Sequence, residues 1–380
     1  MVTQAITPSF AEVAGSDDTP LAEVERRFRE QLSPRRLLPG AALAVYHRGR
    51  LVLDLVAGFA DTQRGHLVRP DTLFSLFSGT KPFAAIALWQ QIERGRAALD
   101  DPVAAHWPAF GRHGKDQVTL RHILSHRGGF PLTPADLTPE RWGDWAAATA
   151  AIAAMPLDHA PGTTSAYHHL TQHWVCAELV QRFDGRPFAE YVRAEITGPL
   201  GMTDTHIGLP AELEQRVAKL HATDGADAWG LEIMQTVQRI VLYRLVVPAA
   251  SGVATARDMA RFYAALAAGG ALDGARILRP ETVDRMLRVE VDGEIDRTFD
   301  APVRRGLGFE LGGLADVRRH WPGAGSTART FWHGGFGSSV CWGDSDRELA
   351  MAFLANGVRR DEPGAIARRD LSDAVRNAGR

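Results

Sequence analysis

Lysine is nearly absent from this chain of 380 residues. It stands only at positions 81, 115 and 219, and the other 40 of the 43 basic side chains are arginine. Where positive charge alone is needed, the chain uses arginine. A guanidinium keeps its proton in a protein, whereas an amine can release one. Lys81 is therefore a candidate for proton chemistry, while Lys115 and Lys219 read as chance survivors. Cysteine is equally scarce. Cys176 and Cys341 form no metal or redox spacing and read as buried free thiols. An excess of one charge is also missing: the net charge is -2, without the basic stripe that a nucleic-acid partner requires. No apolar run reaches bilayer length. Trp145 to Met155 is far too short, and Arg244 interrupts the stretch from 240 to 250. Met1 to Pro20 carries neither a basic segment nor an apolar one in the manner of a signal peptide. These absences predict a cytoplasmic protein with no membrane partner and a flexible leader over residues 1–20.

What is present is a large apolar fraction, 45%, with two kinds of patterning. Leu21 to Leu32 has helical spacing. Ala41 to Tyr46 and Leu51 to Ala57 are apolar runs joined by His47-Arg48-Gly49-Arg50, a hairpin signal. Helices are predicted at Leu120 to His126, Thr171 to Phe183, Ala256 to Ala268 and Ala365 to Ala378. Strands are predicted at Leu307 to Leu311, Thr330 to His333, Ser339 to Trp342 and Leu349 to Asn356. Strand-rich ends around a helical middle predict an α+β fold, with one antiparallel sheet built from both ends of the chain. We expect a discontinuous α/β lobe from residues 21–95 and 250–380, a mostly helical lobe from 96–249, and the site between them. Residues 205–250 and 290–330 are expected to form the pocket walls.

Ser78-Gly79-Thr80-Lys81 is the centre of the chemistry. Residues three apart on a helix share a face, with Cβ atoms about 5–6 Å apart. A serine hydroxyl is a weak nucleophile until a neighbouring base takes its proton. A buried lysine can be that base, because desolvation brings its pKa down, to about 7–8 in tuned sites. A helix N-terminus at Ser78 would also favour negative charge developing there.

Further segments follow in order: Phe74-Ser75-Leu76-Phe77, then Thr119 through Gly129, Pro161-Gly162-Thr163 leading to Tyr167, Gly198-Pro199-Leu200-Gly201-Met202, and His333-Gly334-Gly335. Together with Ser78 and Lys81 they resemble the penicillin-recognising serine enzymes, in the branch of class C β-lactamases and family VIII carboxylesterases. The resemblance spans about residues 38–356. It implies a β-lactamase and penicillin-binding-protein-like fold, its antiparallel sheet flanked by the N- and C-terminal helices beside a mostly helical lobe. It also implies that Tyr167 shuttles a proton between the nucleophile and the leaving group. By the same resemblance the N–H groups of Phe336 and Ser78 would hold the oxyanion, and the strand His333-Gly334-Gly335 would line the substrate. Two motif positions depart from the family pattern. Its second motif ends in asparagine where this chain has His169, and its third begins with lysine where this chain has His333. Both histidines are mostly uncharged at neutral pH, which turns the expectation from β-lactams and peptides toward neutral esters.

The resulting expectation is a serine hydrolase that forms an acyl-enzyme on Ser78, with Lys81 and Tyr167 transferring protons, on a small-molecule ester or acyl substrate. Phe336, His333, Gly334, Gly335 and His169 are the binding candidates. No cofactor or metal is expected, and oligomeric state is unassigned. The alternatives are a β-lactamase, a D-amino-acid peptidase or amidase, an acyltransferase of the same family, or a non-catalytic binding homologue. Rival motifs fail on their chemistry. The Gly-x-Ser-x-Gly elbow of α/β-hydrolases is absent. His122 and His126 have the spacing of a zinc helix, but Ile123 stands where a metalloprotease needs glutamate; they read as braces for a short helix and its glycine turn. Gly323 to Ala328 reads as a loop rather than a dinucleotide fingerprint. Trp332 and Trp342 read as core aromatics.

Overall fold

The computed structural model describes residues 20–32, 38–314 and 322–379. The leader expected over 1–20 lies outside them except for Pro20, as do residues 315–321 of the expected pocket wall. Helix α1 (Pro20–Gln31) opens the described chain and α5 (Glu362–Ala378) closes it. Between them runs a nine-stranded antiparallel sheet. Its strands in chain order are β1 (Gly40–His47), β2 (Arg50–Asp61), β3 (His66–Leu67), β4 (Val291–Asp296), β5 (Ala301–Arg305), β6 (Glu310–Leu311), β7 (Thr330–Gly335), β8 (Ser339–Asp344) and β9 (Leu349–Ala355). Their spatial order is β4-β5-β6-β7-β8-β9-β1-β2-β3. Pairing of Ala41 with Ala355 and of Ala42 with Leu354 joins the two ends of the sequence.

The sheet is covered on both faces, so β9 is apolar throughout and β1 nearly so, instead of alternating. Ala41, Leu43 and Val45 of β1 pack with Val24 and Phe28 of α1 and with Leu371 and Val375 of α5. Ala42, Ala44 and Tyr46 face the other way, into the cluster with Phe262 and Phe331. Helix α4 (Ala256–Ala267) lies on that second face, and its Met259, Phe262, Tyr263 and Leu266 are buried. Each such side chain contributes about 1.5–3 kcal/mol of burial. The segment between the sheet halves carries α2 (Lys81–Glu93), which packs on α3 (Thr171–Asp184), and shorter helices at Leu120–Leu124, Trp145–Ala154 and Ala228–Arg239.

Differences from the sequence expectations are local. The helix Ala228–Arg239, capped by Asp227, and the hairpin of β4 and β5 lie in stretches for which the sequence reading placed no element. Cys176 and Cys341 are free and buried, as expected. The Gly323–Ala328 segment is a loop, with the Ala324 and Gly325 amides donating to Asp373. Lys115 is no chance survivor. It is buried, and its ammonium donates to the carbonyls of Ala153 and Met155 at the end of the Trp145–Ala154 helix. No helix among the described residues is long and apolar enough to cross a membrane.

Candidate active site

Ser78 lies in a 3-10 turn, Phe77–Thr80, that runs directly into α2. That turn is pinned from outside. The Thr80 hydroxyl donates to the Phe77 carbonyl (2.7 Å) and accepts from the Gly252 amide (2.9 Å), and the Leu76 amide donates to the Gly252 carbonyl. Phe77 is held in the left-handed region, φ 48°, a strain that surrounding contacts must over-determine to persist. The half-buried Ser78 therefore sits at a fixed helix N-terminus, where the first amides lack intrahelical partners.

One turn on, Lys81 is fully buried. Its Nζ donates to Ser78 Oγ at 2.9 Å and to the Ala249 carbonyl at 3.0 Å. Burial brings its pKa down to about 7, so near neutral pH a substantial fraction is the free amine. Tyr167 closes the constellation. The Lys81 Nζ stands 5.2 Å from its ring centroid. Burial raises the phenol's pKa, and interaction with the Ser78 hydroxyl opposes that rise only in part. Tyr167 is thus a neutral phenol across the physiological range, able to accept a proton on one side as it donates on the other.

The end of β7 runs beside Ser78. A Cβ added to Gly335 would lie 2.0 Å from the Leu76 carbonyl oxygen, so only glycine allows this approach. Phe336 follows with φ 40°, and its ring packs on Phe77 at 5.4 Å. Its amide donates to no acceptor among the described residues. His333 is buried, and its Nδ1 lies 2.9 Å from the Gly334 carbonyl. A carbonyl only accepts, so Nδ1 carries the proton and Nε2 remains an acceptor. Burial and nearby Lys81 push the pKa of His333 down to about 3, which leaves it uncharged. His169 is half-buried and stands edge-on to both Tyr167 and Trp229.

Ser78, Tyr167, His169, His333, Gly334 and Phe336 open onto one cavity of about 390 Å³. Its far walls include Trp229, Phe299, Pro302, Val303, Leu311 and Trp332. The stretches 205–250 and 290–330 thus do contribute to the wall. Trp332 lines the cavity, whereas Trp342 is buried in the core against α5. The expected bracing role holds for His122, whose Nδ1 accepts from the Thr119 amide in a capping box. It undersells His126, which is buried with its ring stacked on Tyr167 at 4.6 Å. Phe299 stacks on Tyr167 at 4.7 Å. Phe299 carried no sequence signal beyond its residue type, and the signals at His126, its spacing from His122 and its place in the Thr119 to Gly129 segment, did not point to Tyr167. No cluster of three or more metal-ligating side chains occurs among the described residues.

Comparison with known proteins identifies the family and the fold. A family model described as Beta-lactamase matches residues 21–376. The esterase/beta-lactamase LipL of Mycobacterium tuberculosis is 30% identical over 374 residues, covering 90% of this chain and 83% of that protein. A penicillin-binding protein homologue from Caulobacter crescentus superposes with TM-score 0.82 at 31% identity, over 95% of this chain and 99% of that one. A family VIII carboxylesterase superposes with TM-score 0.84 at 27% identity, over 96% and 99%.

Proposed function

The chain belongs to the beta-lactamase family and is a serine hydrolase; on that premise we propose that it is an esterase working through an acyl-enzyme on Ser78. The observation that carries this reading is the 2.9 Å contact between the fully buried Lys81 Nζ and the half-buried Ser78 Oγ. As Ser78 Oγ attacks the ester carbonyl, its proton passes to the Lys81 amine. The carbonyl oxygen becomes an oxyanion facing the Ser78 and Phe336 amides. Collapse expels the alcohol, which takes a proton from the Tyr167 hydroxyl as Lys81 reprotonates the phenol. Water then attacks the acyl-enzyme with the same groups acting in reverse, and Ser78 regains its proton.

The preference for a neutral ester rests on His333. Where the family pattern places a lysine, this chain holds an imidazole kept uncharged by burial, with no formal charge to offer a substrate carboxylate. The names of LipL and of the carboxylesterase point the same way. The test is mass spectrometry after an active-site-directed phosphonate, with turnover of p-nitrophenyl esters measured against nitrocefin. We expect one phosphonyl adduct, on Ser78, loss of activity in Ser78→Ala, and preference for the ester. No adduct on Ser78 together with surviving activity in Ser78→Ala rejects the mechanism. Faster turnover of nitrocefin rejects the substrate class.

A further inference from the structure

Tyr167 is held by a device to which the family segments contribute only His126 and Tyr167 itself. Its ring lies between the His126 and Phe299 rings, nearly parallel to both. Behind that stack stands Asp296, the last residue of β4 and fully buried. One of its carboxylate oxygens, Oδ1, accepts from the Tyr167 amide (3.2 Å), the Thr298 amide (2.9 Å) and the Phe299 amide (3.0 Å). The other, Oδ2, accepts from Arg305 Nη1 (2.6 Å) and the Ser165 hydroxyl (3.3 Å). A single carboxylate thereby fastens two segments distant in sequence: the backbone that carries the phenol and the backbone that carries the ring stacked on it. The Thr298 hydroxyl adds a return bond to the Tyr167 carbonyl at 3.0 Å. Arg305 is itself buried on β5, and its Nε donates to Glu310 of the cavity wall at 2.8 Å.

Asp296 faces inward because of a bulge. The register between β4 and β5 shifts between Asp292 and Glu294, around Gly293 at φ 69°. Side chains alternate along a strand, so one extra residue exchanges the faces beyond it. Ile295 is accordingly left 54% exposed, and Asp296 is buried. Burying an ion pair this deeply stabilises a fold no better than an apolar pair of the same size. What it supplies here is direction.

We propose that Asp296, anchored by Arg305, is a positioning residue for the Tyr167 phenol. The inference rests on the reading of Tyr167 as proton relay. Displacement of a relay by about 1 Å costs on the order of 10²-fold in rate, while substrate binding is left largely alone.

The experiment is steady-state ester hydrolysis by Asp296→Asn, Thr298→Val and Tyr167→Phe, and by each of the first two combined with Tyr167→Phe. Thermal melts accompany the series to show which variants are folded. Asp296→Asn should lower kcat about 10- to 100-fold with KM within about twofold. Thr298→Val, which deletes one bond and leaves the ion pair intact, should lower kcat about threefold or more. In the Tyr167→Phe background both losses should shrink to less than about twofold, because the group being aimed is gone. Thr298→Val keeps the test decisive if Asp296→Asn fails to fold. Folded variants with unchanged kcat, or losses that multiply with Tyr167→Phe, overturn the positioning role. Full activity in Tyr167→Phe instead overturns the relay and the positioning role with it, and activity in Ser78→Ala overturns the acyl-enzyme reading itself.

Discussion

Lys81 Nζ stands 2.9 Å from Ser78 Oγ, and burial alone displaces its pKa. The amine donates to the neutral Ser78 hydroxyl and Ala249 carbonyl, and no carboxylate is among the causes that set its pKa. The pair is poised to move a proton from oxygen to nitrogen near neutral pH.

The first prediction concerns pH. The base must be uncharged to act, so kcat/KM should fall tenfold per pH unit below the free-enzyme pKa of about 7. Tyr167 and His333 should add no limb between pH 5 and 9, since one is held protonated and the other neutral across that range. A profile of kcat/KM for a neutral p-nitrophenyl ester, whose own charge is constant, checks this; a flat acid side contradicts a lysine base.

Removal of the phenol hydroxyl tests the relay. Tyr167→Phe keeps the stack between His126 and Phe299 and should therefore keep the melting temperature within a few degrees. Loss of general acid–base assistance should lower kcat by about 10²–10⁴-fold. Burst kinetics would show whether acylation, deacylation or both slow down.

Gly335→Ala tests the close approach of β7 to the nucleophile turn. The added methyl would meet the Leu76 carbonyl and the Ser339 hydroxyl, pushing the Phe336 amide away from Ser78. We expect a loss of about 10²–10³-fold in kcat, the size reported by removal of one oxyanion donor. The effect should appear with acyl substrates, while phosphonate labelling slows in parallel.

The two buried lysines should behave oppositely when replaced by methionine. Lys81 has its pKa lowered from 10.5 to about 7, so the unfolded chain binds more protons between those values. Stability therefore rises with pH across that window, and the cost of Lys81 is full below about pH 7. Lys81→Met should abolish activity yet stabilise the protein at pH 6 by roughly 1–4 kcal/mol, net of the donor lost by the Ala249 carbonyl, and by less at pH 10. Burial lowers the Lys115 pKa less, to about 8, and its ammonium serves two carbonyls, those of Ala153 and Met155. Lys115→Met should therefore destabilise by about 1–3 kcal/mol at pH 10, where the buried amine costs little, and by less at pH 6, with kcat of the folded enzyme unchanged. Chemical denaturation at the two pH values checks both.

Sequence and structure overlapped most where the chemistry is local. Ser78 and Lys81 are three residues apart on one helical turn, so helix geometry alone brings them together. Tyr167 was reached only through the family resemblance, since no local rule joins it to a residue 89 positions earlier. His126 was read as a brace, because nothing in its neighbours tells that the chain turns left-handed there (φ 60°) and stacks its ring on the phenol. The hairpin of β4 and β5 hid for a different reason. Period-two alternation points Ile295 inward, and the bulge at Gly293 reverses it.

The sequence by itself determined the secondary elements along most of the chain, the pairing of its ends in one covered sheet, and the juxtaposition of Ser78 with Lys81. Those depend on apolar periodicity and on contacts within one turn, which neighbours along the chain dictate. The tertiary structure decided the cavity wall, the ring stack on Tyr167 and the inward turn of Asp296. These join segments from tens to more than a hundred residues apart, through strand register and burial, and such properties belong to the folded molecule rather than to any stretch of its chain.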